Sequence, residues 1–175
     1  MNPTVTSAMK LSQWRGDITI FNGYFDTTPQ SEYSSLTWDG LTEIISGNLK
    51  LTRRKENAPY FVPCLLTNAP LIGKTLEKAA ARGLPLEGKQ RSSSHTTVGS
   101  LLVADIDGID KDEWESLIAR LDEASVAYAV YSTYSYGNPE KPGIRARILF
   151  PIDKSLGGAD YARAWMGLEK ALLHG

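Results

Sequence analysis

Two aspartates separated by one residue, Asp105 and Asp107, have a spacing that could hold a divalent metal ion. Asp105 ends the mostly apolar segment 100–105, which is typical of a strand covered on both faces. Because side chains alternate along a strand, both carboxylates would lie on one face. Two carboxylates so close repel each other, and Mg²⁺ or Mn²⁺ would stabilise them as hard oxygen ligands. The pair therefore predicts a metal site of the kind used in phosphoryl or nucleotidyl transfer.

The same residues also fit an ordinary strand end without a metal. Asp107 and Gly108 together are typical of a turn, and Asp110 is a good N-cap for a following helix. Short motifs of this kind often occur by chance. This motif alone does not distinguish a metal site from an ordinary strand end.

Two later segments could bind a nucleotide. Segment 131–136 concentrates hydroxyls and aromatic rings at the end of a predicted strand, which makes Ser132 and Tyr134 candidate nucleotide-binding residues. Arg145 and Arg147 have the spacing of one face of a strand, and their planar guanidinium groups suit phosphate oxygens. A polar turn and a charged sheet edge are the structural alternatives. If the three strands are neighbours, the acids, the hydroxyls and the arginines converge on one surface.

The elements that must position these residues are most regular after residue 100. Strands are expected at 100–105, 127–133 and 144–152. Asp110 and Glu113 predict a capping box at the start of a helix with one apolar face, and a final amphipathic helix follows Gly158. The order strand, helix, strand, strand, helix predicts an α+β fold with a split βαβ sheet of ferredoxin or RRM type.

The first half of the chain is less regular. It predicts a loose start over 1–16, a strand at 18–21, a helix capped by Thr37 that ends at Gly47, a strand within 59–66 and a helix at 74–82. Segment 49–52 fits a strand or a helix end, and 24–36 and 83–97 are expected to be loops. We expect residues 1–98 to form an α/β layer packed on residues 99–175, as one compact domain.

Composition limits the classes of protein to which the chain could belong. Its 175 residues have a net charge of −1, 42% hydrophobic residues and one cysteine, Cys64. These values are typical of a globular domain and exclude an intramolecular disulfide and a polycationic nucleic-acid coat. No apolar segment approaches the roughly 20 residues of a membrane helix. We therefore expect a cytoplasmic protein without a membrane partner.

Segment 99–153 resembles the archaeo-eukaryotic-type primase superfamily, specifically the primase–polymerase domains at the N-termini of phage, prophage and plasmid replication proteins. Segment 103–107 is similar to the metal-binding strand of that family, in which hydrophobic residues and aspartates alternate. Segments 131–133, 141–142 and 145–151 are similar to its nucleotide-binding segment. The resemblance implies an RRM-like catalytic core and metal-dependent addition of nucleoside triphosphates to a templated primer. It implies that Asp105 and Asp107 hold Mg²⁺ or Mn²⁺, and that Ser132, Arg145 and Arg147 hold the triphosphate.

The chain departs from the family pattern at two places. Family members often have a histidine in the nucleotide-binding segment, where this chain has Tyr134 and Tyr136. The family also has a third acidic ligand, for which Asp153 is our candidate, and the ligand could also lie beyond residue 175. The chain stops one helix after the arginine strand, which suggests a truncated domain or a shortened, inactive relative.

The resemblance also implies partners. These are nucleoside triphosphates, a single-stranded or primed DNA template and a helicase, fused or separate. In the expected loop at 83–97, Lys89, Arg91 and His95 are candidates for contacts with the nucleic acid. The main alternative is a catalytically inactive, primase-derived module that binds nucleic acid or a replication protein. A nuclease, a haloacid-dehalogenase-like phosphatase, and a replisome scaffold or antagonist are weaker alternatives.

Overall fold

The computed structural model describes residues 10–23, 26–47 and 54–173. This part of the chain is a mixture of α-helices and antiparallel sheets, which confirms the α+β class. The first half contains β1 (Gly16–Phe21), β2 (Ser31–Leu36), α1 (Trp38–Gly47), β3 (Tyr60–Val62), β4 (Ala69–Pro70), α2 (Gly73–Ala81) and β5 (Glu87–Gly88). The second half contains β6 (Gly99–Ile109), α3 (Lys111–Glu123), β7 (Ala129–Ser132), β8 (Ile144–Leu156) and α4 (Gly158–Leu168). None of the helices in the described ranges is long and apolar enough to cross a membrane.

The second half forms a three-stranded sheet in the order β6-β8-β7. β8 runs antiparallel to both neighbours, so β6 and β7 run in the same direction and α3 connects them. α3 therefore joins two parallel strands that have the antiparallel β8 between them. The predicted order of elements from residue 100 is therefore confirmed, although β6 and β8 are both longer than expected.

The two faces of this sheet bury different parts of the chain. One face packs against the first half, in a core formed by Trp14, Ile18, Trp38, Leu41, Leu101 and Leu149. The other face packs against α3 and α4, in a core formed by Leu102, Ala104, Leu117, Leu121, Ile148 and Phe150. In each core, buried apolar side chains pack against one another. Burial of apolar surface is the main favourable contribution to folding. On the first face, the side chains beyond Val103 leave this core and become exposed.

Trp14 links the start of the chain to the second half. Its side chain is 1% exposed, its Nε1 donates a hydrogen bond to the Ser100 carbonyl oxygen at 3.1 Å, and its ring packs edge-on against Trp38. The expectation of a loose start was therefore wrong for Trp14. A buried tryptophan needs a partner for its N–H group, and the β6 backbone supplies one.

The first half differs from expectation at several other points. Segment 24–36 was expected to be a loop, but β2 pairs with β1 over Ser31–Leu36. None of its residues is fully buried and three of the six are exposed, so an alternating apolar pattern is absent and pairing with β1 decides the structure. β3 is shorter than the predicted strand, and α2 lies close to the predicted helix. The prediction for 49–52 lies outside the described residues.

The helix starts follow their predicted caps. The Thr37 hydroxyl accepts a hydrogen bond from the Gly40 N–H at the start of α1. At α3, the Asp110 carboxylate accepts from the Glu113 N–H at 2.8 Å, and the Glu113 carboxylate accepts from the Asp110 N–H at 3.1 Å. This reciprocal pair is the predicted capping box. It fixes the direction in which the chain leaves β6.

Candidate functional site

Asp105, Arg147 and Tyr131 form a row across the three strands of the second-half sheet. Asp105 is opposite Arg147 in the pairing of β6 with β8, and Tyr131 is opposite Arg147 in the pairing of β7 with β8. The Arg147 guanidinium lies 3.4 Å from a carboxylate oxygen of Asp105 and donates to the Tyr131 hydroxyl at 3.5 Å. The register therefore brings an acid, a guanidinium and a phenol together on one face.

A second row lies one step further along the same face. Asp107 is opposite Arg145, and their carboxylate and guanidinium form an ion pair. The Thr133 N–H donates to the Arg145 carbonyl oxygen at 3.0 Å, which extends the pairing of β7 with β8 past the end of β7. Thr133 therefore opposes Arg145, as Tyr131 opposes Arg147. We refer to Asp105, Asp107, Arg145 and Arg147 below as the charged face.

The charged face is half-buried on its basic side and open on its acidic side. The side chains of Arg145 and Arg147 are 15% and 31% exposed, whereas those of Asp105 and Asp107 are 60% and 73% exposed. Burial raises the pKa of Tyr131, and the nearby Arg147 guanidinium only partly opposes this rise. The Tyr131 phenol is therefore a neutral donor and acceptor near pH 7. The carboxylates remain accessible to a ligand from solvent.

A bulge at Gly108 ends the charged face. Asp107 pairs with Arg145, and Ile109 pairs with Ile144, so β6 has one extra residue at this point. Gly108 has a φ of +82°, which glycine adopts without strain. Gly143 crosses it closely, since a Cβ atom on Gly143 would lie 2.7 Å from the carbonyl carbon of Gly108. The expected turn at Asp107 and Gly108 is thus a strand bulge, and the expected cap at Asp110 is present.

The Gly143→Ala substitution is expected to lower the free energy of unfolding by about 1–3 kcal/mol or more. A φ of +93° is strained for alanine, and the new Cβ atom would also collide with Gly108. Chemical denaturation followed by tryptophan fluorescence would measure the change. Gly137→Ala is the matched control, since Gly137 also has a positive φ of +76° but no atom near the new Cβ. Equal losses of stability in the two variants would contradict a close crossing at Gly143.

The charged face fits a metal ion with an incomplete set of protein ligands. Asp105 and Asp107 supply two accessible carboxylates on one face, and Mg²⁺ is usually held by one or two carboxylates together with phosphate oxygens and water. Within residues 10–23, 26–47 and 54–173, no group of three or more His, Cys, Asp and Glu side chains could hold a metal. Substrate phosphates and water would therefore have to complete the coordination of a metal at Asp105 and Asp107.

Three other candidates lie away from the charged face. Asp153 lies on β8 six residues beyond Arg147, which is about 20 Å along an extended strand. Ser132 pairs with Ala146, so its side chain alternates to the sheet face opposite that of Arg147. Tyr134 is exposed in the turn after β7. The structure thus brings together both aspartates and both arginines, and it does not bring Asp153, Ser132 or Tyr134 to them.

The loop candidates Lys89 and Arg91 contact β2 and β3 of the first half. Lys89 forms an ion pair with Glu32 of β2, and the Arg91 guanidinium lies 4.6 Å from the centre of the Tyr60 ring. Burial would raise the pKa of Glu32, but the hydrogen bonds from Lys89 and from the Leu66 N–H outweigh it, and the pKa is lowered. The Glu32 carboxylate therefore keeps the Lys89 ammonium group beside β2.

His95 was expected in an exposed loop, and this expectation was wrong. Its side chain is completely buried, and its Nδ1 lies 2.6 Å from the Ser92 hydroxyl oxygen. The Leu66–Thr96 bridge and the hydrogen bond from the Thr67 N–H to the His95 carbonyl oxygen join this segment to residues 66–67. A buried ring cannot contact a nucleic acid in this conformation.

Tyr131 and Thr133 are site residues that the sequence pattern did not single out. Both lie in segment 131–136, but the even-numbered members Ser132 and Tyr134 were the predicted ones. The alternation of side chains puts one parity of β7 beside the arginines, and only the register with β8 shows which parity it is.

Comparison of the chain with models of known protein families, with curated proteins and with solved structures finds no match.

Proposed function

We propose that this chain is a metal-dependent nucleotidyltransferase domain of the DNA primase–polymerase type, from the replication protein of a mobile element. The observation that supports the proposal best is the charged face, on which two carboxylates lie directly opposite two guanidinium groups. We further propose that the split βαβ sheet is an RRM-like catalytic core and that the protein acts in the cytoplasm. A helicase, fused or separate, would be its replication partner.

The residues of the charged face have distinct roles in this proposal. Asp105 and Asp107 hold Mg²⁺ or Mn²⁺, which supplies positive charge to the phosphate oxygens. Arg145 and Arg147 hold the triphosphate through charge-assisted hydrogen bonds. The neutral Tyr131 hydroxyl accepts a hydrogen bond from Arg147 and so keeps its guanidinium beside the acids. The 3′-hydroxyl oxygen of the primer bonds to the α-phosphorus, the bond from that phosphorus to pyrophosphate breaks, and the hydroxyl proton passes to solvent.

A templated extension assay tests the proposal directly. The protein would be incubated with Mn²⁺, a primed DNA template and labelled deoxyribonucleoside or ribonucleoside triphosphates, and the products separated on a gel. Extension that requires both the metal and the template supports the proposal. Degradation of the template without synthesis would contradict it and indicate a nuclease.

The second candidate is a catalytically inactive module that binds nucleic acid or a replication protein. It is favoured by the pairing of each aspartate with an arginine and by the distance of Asp153 from the charged face. Such pairs could also serve only to join β6 and β8. Binding of DNA that does not change with metal and is not followed by extension would identify this candidate.

A further inference from the structure

Each arginine of the charged face is already paired with an anion of the same chain. The Arg147 guanidinium lies 3.4 Å from a carboxylate oxygen of Asp105, and Arg145 forms an ion pair with Asp107. A carboxylate and a phosphate present the same kind of charged oxygen acceptor to a guanidinium group. The two aspartates therefore take the positions beside the arginines that phosphate oxygens would need.

The arginines are also held by contacts that do not involve the acids. The Nε of Arg145 donates to the Lys141 carbonyl oxygen at 3.3 Å. Its guanidinium packs over Gly108, where a Cβ atom would lie 3.1 Å from a guanidinium nitrogen. Arg147 donates to the Tyr131 hydroxyl. Both guanidinium groups would therefore keep their positions if the carboxylates moved away.

The carboxylates are the partners that can move. The side chains of Asp105 and Asp107 are more than half exposed. In the described part of the chain, the structure shows no hydrogen-bond or ion-pair partner for either carboxylate other than its arginine. Separating such an exposed pair costs little. A divalent cation that bound the carboxylates would compete with the arginines for the same oxygens, and the half-buried guanidinium groups would then need another anion.

We propose that the ion pairs of the charged face form an autoinhibitory contact, in which Asp105 and Asp107 cover the phosphate-binding arginines until a divalent cation binds the carboxylates. The inference rests on the proposed function, because it assumes that the acids hold the metal and the arginines hold the triphosphate. It adds a regulatory property of that site. Metal and triphosphate each strengthen the binding of the other, because each removes a competitor of the other.

Removal of the covering carboxylates should strengthen phosphate binding when no metal is present. In metal-free buffer, we expect Asp105→Asn/Asp107→Asn to bind tripolyphosphate at least about fivefold more tightly than the unsubstituted protein, because two exposed ion pairs no longer compete. Calorimetric titration of the full chain measures the affinity. The control is Asp112→Asn/Glu123→Gln, which removes two exposed acids of α3, on the opposite face of the sheet, and should leave the affinity unchanged.

Removal of the arginines should strengthen metal binding in the same way. Without phosphate, we expect Arg145→Gln/Arg147→Gln to bind Mn²⁺ at least about fivefold more tightly than the unsubstituted protein, because the cation no longer lies beside two positive charges. Electron paramagnetic resonance of free Mn²⁺ measures the affinity. Lys78→Gln/Arg82→Gln, which removes two exposed positive charges at the end of α2, is the control. Circular dichroism would verify that both variants fold, and the aspartate variant tests the contact independently of them.

The outcomes separate this inference from the proposed function. Gains in both charged-face variants, with no gain in their controls, support the autoinhibitory contact. Absence of a gain in the asparagine variant would overturn it and leave the proposed function standing, as long as tripolyphosphate binds in Mn²⁺. An equal gain in the α3 control would also overturn it, since the overall negative charge would then limit binding. Failure of tripolyphosphate to bind with or without Mn²⁺ would overturn the proposed function as well.

Discussion

The Asp105→Asn/Asp107→Asn variant is expected to incorporate nucleotides at least about a thousandfold more slowly than the unsubstituted protein, because metal-ion catalysis lowers a barrier by several kcal/mol. Asparagine has nearly the same shape as aspartate but lacks the charge that attracts Mg²⁺ or Mn²⁺. Both side chains are more than half exposed, so little loss of stability is expected. Primer extension at saturating Mn²⁺ measures the rate.

A control separates this effect from a general change in charge. Asp112 is an exposed aspartate in the first turn of α3, away from the charged face, and Asp112→Asn is expected to retain full activity. Circular dichroism would verify that both variants fold. Incorporation by Asp105→Asn/Asp107→Asn at the normal rate would exclude a catalytic role for these carboxylates.

The Arg145→Gln/Arg147→Gln variant is expected to bind tripolyphosphate at least about a hundredfold more weakly than the unsubstituted protein. Two charge-assisted hydrogen-bonding groups are lost, and each is typically worth about 1.5–3 kcal/mol. Arg145 is the more buried of the two and also donates to the Lys141 carbonyl oxygen, so its orientation is fixed before a ligand arrives. Calorimetric titration with tripolyphosphate and Mg²⁺ measures the affinity.

Lysine variants distinguish charge from geometry in this result. Arg145→Lys/Arg147→Lys retains both charges but not the planar guanidinium groups, and an intermediate affinity is expected. Arg82→Gln, an exposed residue just after α2, is the control for the loss of a positive charge elsewhere. Unchanged affinity of the glutamine variant, with a native circular dichroism spectrum, would show that the triphosphate does not bind at these arginines.

The second half of the fold could be predicted because its local signals agree with one another. The apolar segment that ends at Asp105, the Asp110 and Glu113 capping pair and the alternation around Arg145 each identify one element, and tertiary packing preserves all of them. The placement of both arginines on one face follows from the alternation alone. The common face of Asp105 and Asp107 follows from the same alternation along β6.

The remainder depends on contacts between residues distant in sequence. β2 has few buried side chains and forms because β1 offers it an unpaired edge. Trp14 and His95 are buried, and their hydrogen bonds join them to residues 86 and 28 positions away, the Ser100 carbonyl oxygen and the Thr67 hydroxyl, which no local pattern reveals. Which aspartate faces which arginine depends on the register of β6 with β8, and no local pattern determines that register.

The two acids and two guanidinium groups of the charged face sum to zero charge. Beyond a Debye length of about 8–10 Å, opposite charges held this close largely cancel. Without a bound metal ion, the site therefore exerts little long-range attraction on an anion in solution, unlike a polycationic groove. In metal-free solution the association rate of a nucleoside triphosphate should then depend only weakly on ionic strength, which stopped-flow measurements across a salt series would reveal. Binding of the triphosphate would then depend on short-range contacts, in which its phosphates replace the aspartates beside the arginines, rather than on long-range electrostatic attraction.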